Sequence, residues 1–308
     1  MIGKPPNSMR LFALPLTSSA NHLVRRSGNR HPLIYYHVQM PKAKTDTTET
    51  QKPSLFKRGQ NKVEQMWTNW GKEKGGWKLK VHTYGEKLID RIDFEELALA
   101  STDTSLGPKA SQLSAHDSEG KRLSEKQSKT HSVSIPLVHP PSYMSSIDPL
   151  IHLRAILAHR SPLHRSRTWL WVGITPFTAP FALLPIIPNL PFFFCVWRAW
   201  THWRAHKASA YLLELVDQNA IKPTTSKELD KIYADASPSR FSEKYATPVA
   251  SNDPNADPAV VLLLPDPTVT ISKIIDTYGL PKEAERSFLR AVEQARLRSE
   301  ADGDIEED

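Results

Sequence analysis

The sequence predicts a mostly α-helical protein in which amphipathic helices surround a proline-broken, hydrophobic, membrane-associated helical hairpin. Three observations lead there. Residues 168–197 form a thirty-residue run without a charged side chain, yet carry prolines at 176, 180, 185, 188 and 191. Residues 63–88 repeat apolar positions at helical spacing. Polar segments at 101–134 and 219–257 cannot bury enough surface to offset their ordering entropy and read as disordered linkers. With 25 prolines against 12 glycines and only 39% hydrophobic residues, a modest core with irregular connections is expected rather than one large domain.

Residues 1–45 carry seven Lys or Arg and no acid. Arg10, Arg25, Arg26 and Arg30 among several serines match the composition of a mitochondrial transit peptide. The same segment has a structural alternative. Phe12, Leu14 and Leu16 alternate, Pro15 opposes a helix, and Leu33 to Val38 is a second β-prone run, which together make a small β-hairpin.

The stretch 54–100 is the Trp-rich helical region. Val63, Trp67, Trp70, Trp77, Val81, Tyr84 and Leu88 follow steps of four and three with one step missed at Lys74, so one seam stays in register. Gly75-Gly76 is expected to kink this long helix, and Arg91 to Leu97 to continue it. The seam suits a partner helix or coiled coil. Three tryptophans among lysines also suit an interfacial helix on anionic lipid.

The region 258–299 reads as C-terminal helices, with Gly279 ending a helix over 271–278. Pro281 opens the next, whose apolar face is Ala284, Phe288, Ala291, Val292 and Ala295. Residues 300–308 form a tail with six carboxylates.

The uncharged run lies in the core region 136–218. A membrane span needs about 20 apolar residues, so its length nominates a membrane segment. Five prolines forbid one regular helix, because each removes a backbone donor and clashes with the preceding turn. The expected solution is two helices, about Pro149–Thr175 and Pro191–Val216, joined by an extended passage that includes Pro180, Pro185, Pro188 and Asn189. Arg154, Arg160, Arg165 and Arg167 precede the run and Arg198, Arg204 and Lys207 follow it, with no acid in either window. Matching basic flanks suit a hairpin with both ends on one membrane face, as a re-entrant or shallow loop. Trp197, Trp200 and Trp203 make an interfacial belt beside Arg198 and Arg204. A very apolar helical hairpin in a soluble core is the competing reading.

Little in the chain suggests covalent chemistry. Cys195 is the sole cysteine, which excludes an internal disulfide and Cys-based metal clusters. His202 and His206, at i and i+4, have a spacing that can hold a metal. Arg204 and Lys207 would repel a cation, so they read as charged interfacial histidines and no metal is expected. There is no GxSxG, P-loop or GxGxxG motif, and no cofactor or enzyme activity is expected. The +7 charge combines a basic start with an acidic end, and no nucleic-acid module is present, so nucleic acid is not an expected partner.

The sequence resembles the fungal mitochondrial K+/H+ exchange-related proteins. The resemblance rests on Met9-Arg-Leu-Phe-Ala-Leu-Pro15, Lys87-Leu-Ile-Asp-Arg-Ile-Asp-Phe-Glu-Glu96 and Pro180-Phe-Ala-Leu-Leu-Pro-Ile-Ile-Pro-Asn-Leu-Pro-Phe-Phe194. It continues through Arg198-Ala-Trp-Thr-His-Trp-Arg-Ala205 and Leu280-Pro-Lys-Glu-Ala-Glu-Arg286. The chain departs by a longer Thr17–Pro32 insertion and the 101–134 linker. The resemblance implies residence at the mitochondrial inner membrane, in contact with lipid and a membrane-protein complex, and a requirement in potassium–proton exchange. It supplies no transport residues. Residues 168–197 offer only Thr168, Thr175, Thr178, Asn189 and Cys195 as polar groups, where a proton carrier should place an ionisable one. Carbonyls freed by the prolines could ligate K+. A subunit or regulator is therefore expected, and a scaffold without a role in ion flux is the alternative.

Overall fold

The computed structural model describes residues 8–19, 33–41, 62, 65–108, 134–145, 147–178, 180, 190–236, 260–264 and 266–304. In chain order they form β1 (Arg10–Pro15), β2 (Thr17–Ser19), β3 (Ile34–Gln39), α1 (Gly76–Asp90), α2 (Phe94–Ser101) and β4 (Ile135–His139). Then come α3 (Pro149–Thr178), α4 (Leu190–Asp217), β5 (Ile221–Thr225), α5 (Lys227–Ala236), β6 (Val260–Leu262), α6 (Pro267–Tyr278) and α7 (Glu283–Asp304). The protein is mostly helical with a small mixed sheet.

Strand β1 is apolar on both faces, and that places it inside. Leu11 and Ala13 face one buried cluster, while Phe12 and Leu14 face another. Four strands run in the order β3-β1-β4-β5. The β1–β3 pair is antiparallel, with Arg10 opposite Gln39 and Pro15 opposite Ile34. Both β1–β4 and β4–β5 are parallel. The expected N-terminal strand pair is thus present, inside a larger sheet. Strand β2 pairs separately with β6.

One face of the sheet is covered by the hairpin α3–α4, through Leu153, Leu157, Ala205, Ala208, Leu212 and Leu215. The other is covered by α5, α6 and α7, through Leu229, Tyr233, Ile271, Ile274, Phe288 and Val292. Helices on both faces explain why Leu11 and Ala13 are as buried as the alternating Phe12 and Leu14. The hairpin is the crossover between the parallel neighbours β4 and β5, so its base is fixed to the sheet. Asp148 caps α3 by accepting from the backbone N–H of Leu150 and Ile151 (2.8 and 3.2 Å), with Pro149 at the first helical position. Arg154 and Asp217 join the two arms at 2.9 Å.

Residues 42–93 form a second unit, distinct from the body. Here one long helix with a kink at Gly75-Gly76 was expected, and two helices are present: a helical stretch at 65–71 and α1. The break lies at the glycine pair, where Gly76 takes φ 89°, a conformation costly for any side chain. The chain folds back so that the Trp67 ring lies over Gly85 and the His82 ring over Gly71. Trp67 donates to Glu86 (2.9 Å), and Trp70 meets Trp77 edge to face at 5.4 Å. Val63 lies outside the described residues. Nor does the helix continue through Arg91, because α2 starts afresh at Phe94, whose N–H donates to Gln294 (3.0 Å).

Three further expectations change. Residues 104–106 form a 3-10 turn, capped by Asp103, in what read as linker. Strand β5 and helix α5 occupy 221–236, also read as linker. Polar composition gave that reading, but β5 is the sheet's edge, where its Pro223 and exposed polar side chains are tolerated. The linker residues 109–133 and 237–259 and the end of the tail, 305–308, lie outside the described residues. The expectation that the uncharged run is a membrane segment long enough to span is also corrected. Among the described residues no helix is long and apolar enough to cross a membrane, because α3 carries four arginines and α4 carries Arg198, Arg204 and Lys207.

Candidate functional site

Two features of the hairpin stand out, a polar core at its base and an apolar tip. The polar core begins with Arg198 and His202, which one helical turn sets on the same face of α4. Arg198 donates to Glu96 Oε1 of α2 at 2.8 Å and to His202 Nε2 at 2.9 Å. His202 Nδ1 lies 3.3 Å from Glu96 Oε1 and 3.3 Å from His164 Nδ1 of α3. Glu96, His164 and His202 are all buried.

The hydrogen bonds fix the proton positions. A guanidinium can only donate, so His202 Nε2 accepts and carries no proton. The proton of His202 is then on Nδ1, facing Glu96 and His164, and the ring is neutral. Burial pushes its pKa down to about 3, and the nearby Arg198, His164 and Arg167 push the same way. This corrects the reading of His202 as a charged interfacial group. His206 does not share the site; its Nδ1 lies 3.1 Å from the Ser161 carbonyl.

Helix α2 straps the hairpin with adjacent carboxylates. Glu95 takes Arg160 of α3 at 2.6 Å and Glu96 takes Arg198 of α4. Arg204 adds a longer bond to the Ser101 carbonyl (3.4 Å). The Asp-Phe-Glu-Glu96 and Arg198-Ala-Trp-Thr-His202 stretches, about 100 positions apart in sequence, meet here. Sequence reading singled out Arg198, His202 and Arg204 but missed Glu96 and His164. The available signal was the i, i+4 Arg/His pair, which requires a carboxylate from elsewhere once its face is buried.

Beyond His164 the arms leave the body. Trp169 is 68% exposed, Phe177 80% and Phe193 63%. Within this prong Trp171 packs edge to face on Phe194 (5.6 Å), and Cys195 is buried. Pro176 lies in the last turns of α3, Pro180 just beyond it and Pro191 at the start of α4, both exposed. Pro185, Pro188 and Asn189 lie outside the described residues. Trp200 and Trp203 are partly exposed and pack together at 4.9 Å, with Lys207 over the Trp203 ring. Arg165, Arg167 and Lys207 are exposed around the base of the prong. In the separate 42–93 unit, Trp67, Trp70, Val81 and Leu88 are half-buried, while Trp77 and Tyr84 are exposed.

These features define a mostly helical protein built on a small mixed sheet, with a projecting helical hairpin held at its base by a buried ion-paired network. The chain belongs to the mitochondrial K+-H+ exchange-related family, which it matches over residues 10–216. That span takes in β1 to α4, and with them the sheet's first strands, the strap and the whole hairpin. The chain is also 26% identical, over 174 residues, to an uncharacterized protein of Schizosaccharomyces pombe; the match covers 56% of this chain and 67% of that one. No solved structure matches.

Proposed function

We propose that the protein resides at the mitochondrial inner membrane and supports potassium–proton exchange as a subunit or regulator of the exchanger, seated in one leaflet by the tip of its α3–α4 hairpin. The exposed aromatic prong with its basic collar carries this reading. The stretch 165–178 reaches about 21 Å at 1.5 Å per residue. Of this, the uncharged part beyond Arg167 reaches about 16 Å, close to one leaflet and short of a hydrocarbon core of roughly 30 Å. Trp169, Phe177 and Phe193 would each contribute on the order of 1.5–3 kcal/mol if fully removed from water. Arg165, Arg167 and Lys207 would then lie at the level of anionic headgroups. The family's description supplies the connection to exchange.

The subunit reading follows from where charge is found. Glu96, His164, Arg198 and His202 lie at the hairpin's base, and the prong itself carries no acid. The protein alone in potassium-loaded liposomes is expected to give no proton flux above empty vesicles, while mitochondria lacking it lose exchange. Robust flux from the purified chain would overturn the subunit reading, and full release by alkaline carbonate would overturn membrane seating.

A second reading, a membrane-bound scaffold without a role in flux, draws on the exposed Trp77 and Tyr84 of the 42–93 unit. Alanine at both positions would then dissolve a complex on native gels and leave exchange intact.

A further inference from the structure

We propose that Glu96, His164 and His202 form a binding site for a divalent transition-metal ion of the zinc type, in which Arg198 is the resident cation that the metal displaces. The donor set is a carboxylate and two imidazoles, a combination found at three-ligand zinc sites. Each donor comes from a different helix, α2, α3 and α4, and the three donor atoms lie within 4.8 Å of one another. Two of the separations are those of a coordination shell. Zinc bonds of about 2.0–2.1 Å at a tetrahedral angle separate neighbouring ligand atoms by about 3.3–3.4 Å. The His164 Nδ1–His202 Nδ1 and His202 Nδ1–Glu96 Oε1 separations are both 3.3 Å.

Arg198 and the metal exclude each other for a chemical reason beyond charge. Ligation through His202 Nδ1 requires that nitrogen to give up its proton, which leaves Nε2 as the protonated atom of a neutral ring. Nε2 now accepts from Arg198 at 2.9 Å, and a protonated Nε2 cannot. The metal therefore enters only as His202 changes tautomer and Arg198 turns away. Its side chain is 13% exposed, so it has an edge of solvent to turn into. The proton moves from Nδ1 to Nε2 through water and no net proton is released from His202. One fourth position is left for water once the guanidinium has gone.

The nitrogen donors set selectivity. Potassium and magnesium prefer oxygen shells, so this is not a potassium site; imidazole suits zinc, cobalt and nickel. Arg167 acts on His202 and weakens the attraction for a cation, so binding is weaker than in a cage without it. With the metal in place, coordinate bonds replace the ion pair as the strap between α2 and both arms. The inference stands independently of the membrane reading.

The test uses the full chain, stripped with chelator and titrated with Co2+ as a visible probe, then with Zn2+ in competition. Wild type is expected to take up one equivalent with the intense visible bands of a tetrahedral cobalt site, which Zn2+ abolishes. Glu96→Gln and His164→Gln should weaken binding by more than the roughly 10–100-fold that loss of an outer-shell partner costs. Arg198→Met should tighten it by about tenfold or more, because the metal no longer competes with two charge-assisted hydrogen bonds. A merely structural polar core would not respond in that direction. If Arg198→Met is unfolded without metal, Zn2+ should restore its circular dichroism and thermal transition. No stoichiometric uptake by wild type or Arg198→Met, uptake unchanged in Glu96→Gln and His164→Gln, or no rescue of an unfolded Arg198→Met would each overturn the proposal.

Discussion

At the scale of single residues, the Arg198–Glu96 pair sets the energetics of the hairpin's base. Glu96 is buried, so its charge depends on the guanidinium. Arg198→Ala leaves that carboxylate without its cation and should cost about 3–5 kcal/mol, read from urea unfolding. Replacing both with apolar residues of similar volume should recover most of the loss. A cost below about 1 kcal/mol for Arg198→Ala would mean that the pair behaves as a surface ion pair. His37 offers a second test. Packed among Phe12, Tyr35 and Phe288, it is pushed by burial from 6.5 to about 4. The unfolded chain therefore binds more protons between those values, and the contribution of neutral His37 is complete above about 6.5 and lost as pH falls toward 4. His202 acts with the same sign. The difference between wild type and His37→Leu, followed from pH 7.5 to 4.5, should change by up to about 3 kcal/mol; a flat difference would show that His37 is not held neutral. What sequence gives at this scale is partial. Arg198 and His202 are visible as an i, i+4 pair, whereas Glu96 and His164 become partners only through packing about 40 to 100 positions away.

At the scale of elements, the hairpin was the most legible part. Expected at about Pro149–Thr175 and Pro191–Val216, its helices run Pro149–Thr178 and Leu190–Asp217. Pro149 and Pro191 stand at or beside helix starts, whereas Pro162 and Pro176 lie inside α3, which runs three residues past the expected end. The sheet was half legible. Phe12, Leu14 and Leu16 with the β-prone run Leu33 to Val38 announced a strand pair, but β4 and β5 are short, each contains a proline, and each finds its neighbour across long stretches of chain. Nothing local marks such parallel pairs. The Trp-rich seam was read as one helix kinked at Gly75-Gly76, because a 3.5-residue repeat looks the same whether it faces a partner or folds back on itself. In the folded-back form, Gly85 is the hole for Trp67, where an added Cβ would lie 2.4 Å from the ring. Gly85→Ala should therefore destabilise the 42–93 unit by about 1–3 kcal/mol, seen as faster amide exchange across 76–90. Protection of β1 and β4 should stay unchanged. Equal protection of 76–90 in both proteins would contradict the packed hairpin.

At the scale of the whole molecule, the body and the prong are built for different surroundings. The sheet is sealed on both faces, its edge strand β5 carries Lys222 and Pro223 that discourage further pairing, and Trp169, Phe177 and Phe193 of the hairpin are exposed. A charge on the tip should act on membrane seating and leave folding alone. Phe177→Glu with Phe193→Glu is expected to abolish flotation with vesicles containing anionic lipid, with the thermal transition of the body preserved. A variant that still floats would move the contact elsewhere.

The most direct test of leaflet seating is a depth measurement. An environment-sensitive fluorophore is placed at position 177 (Phe177→Cys) in a Cys195→Ala background and, as a control, at the exposed Ile151 near the base (Ile151→Cys). Each protein is mixed with vesicles whose lipids carry bromines at known acyl positions. The account predicts that the probe at 177 is quenched by mid-chain bromines and protected from an aqueous quencher on either side, while the probe at 151 stays in water. A probe at 177 open to the outer solution would contradict seating, and one open to a quencher trapped inside the vesicle would mean that the hairpin crosses.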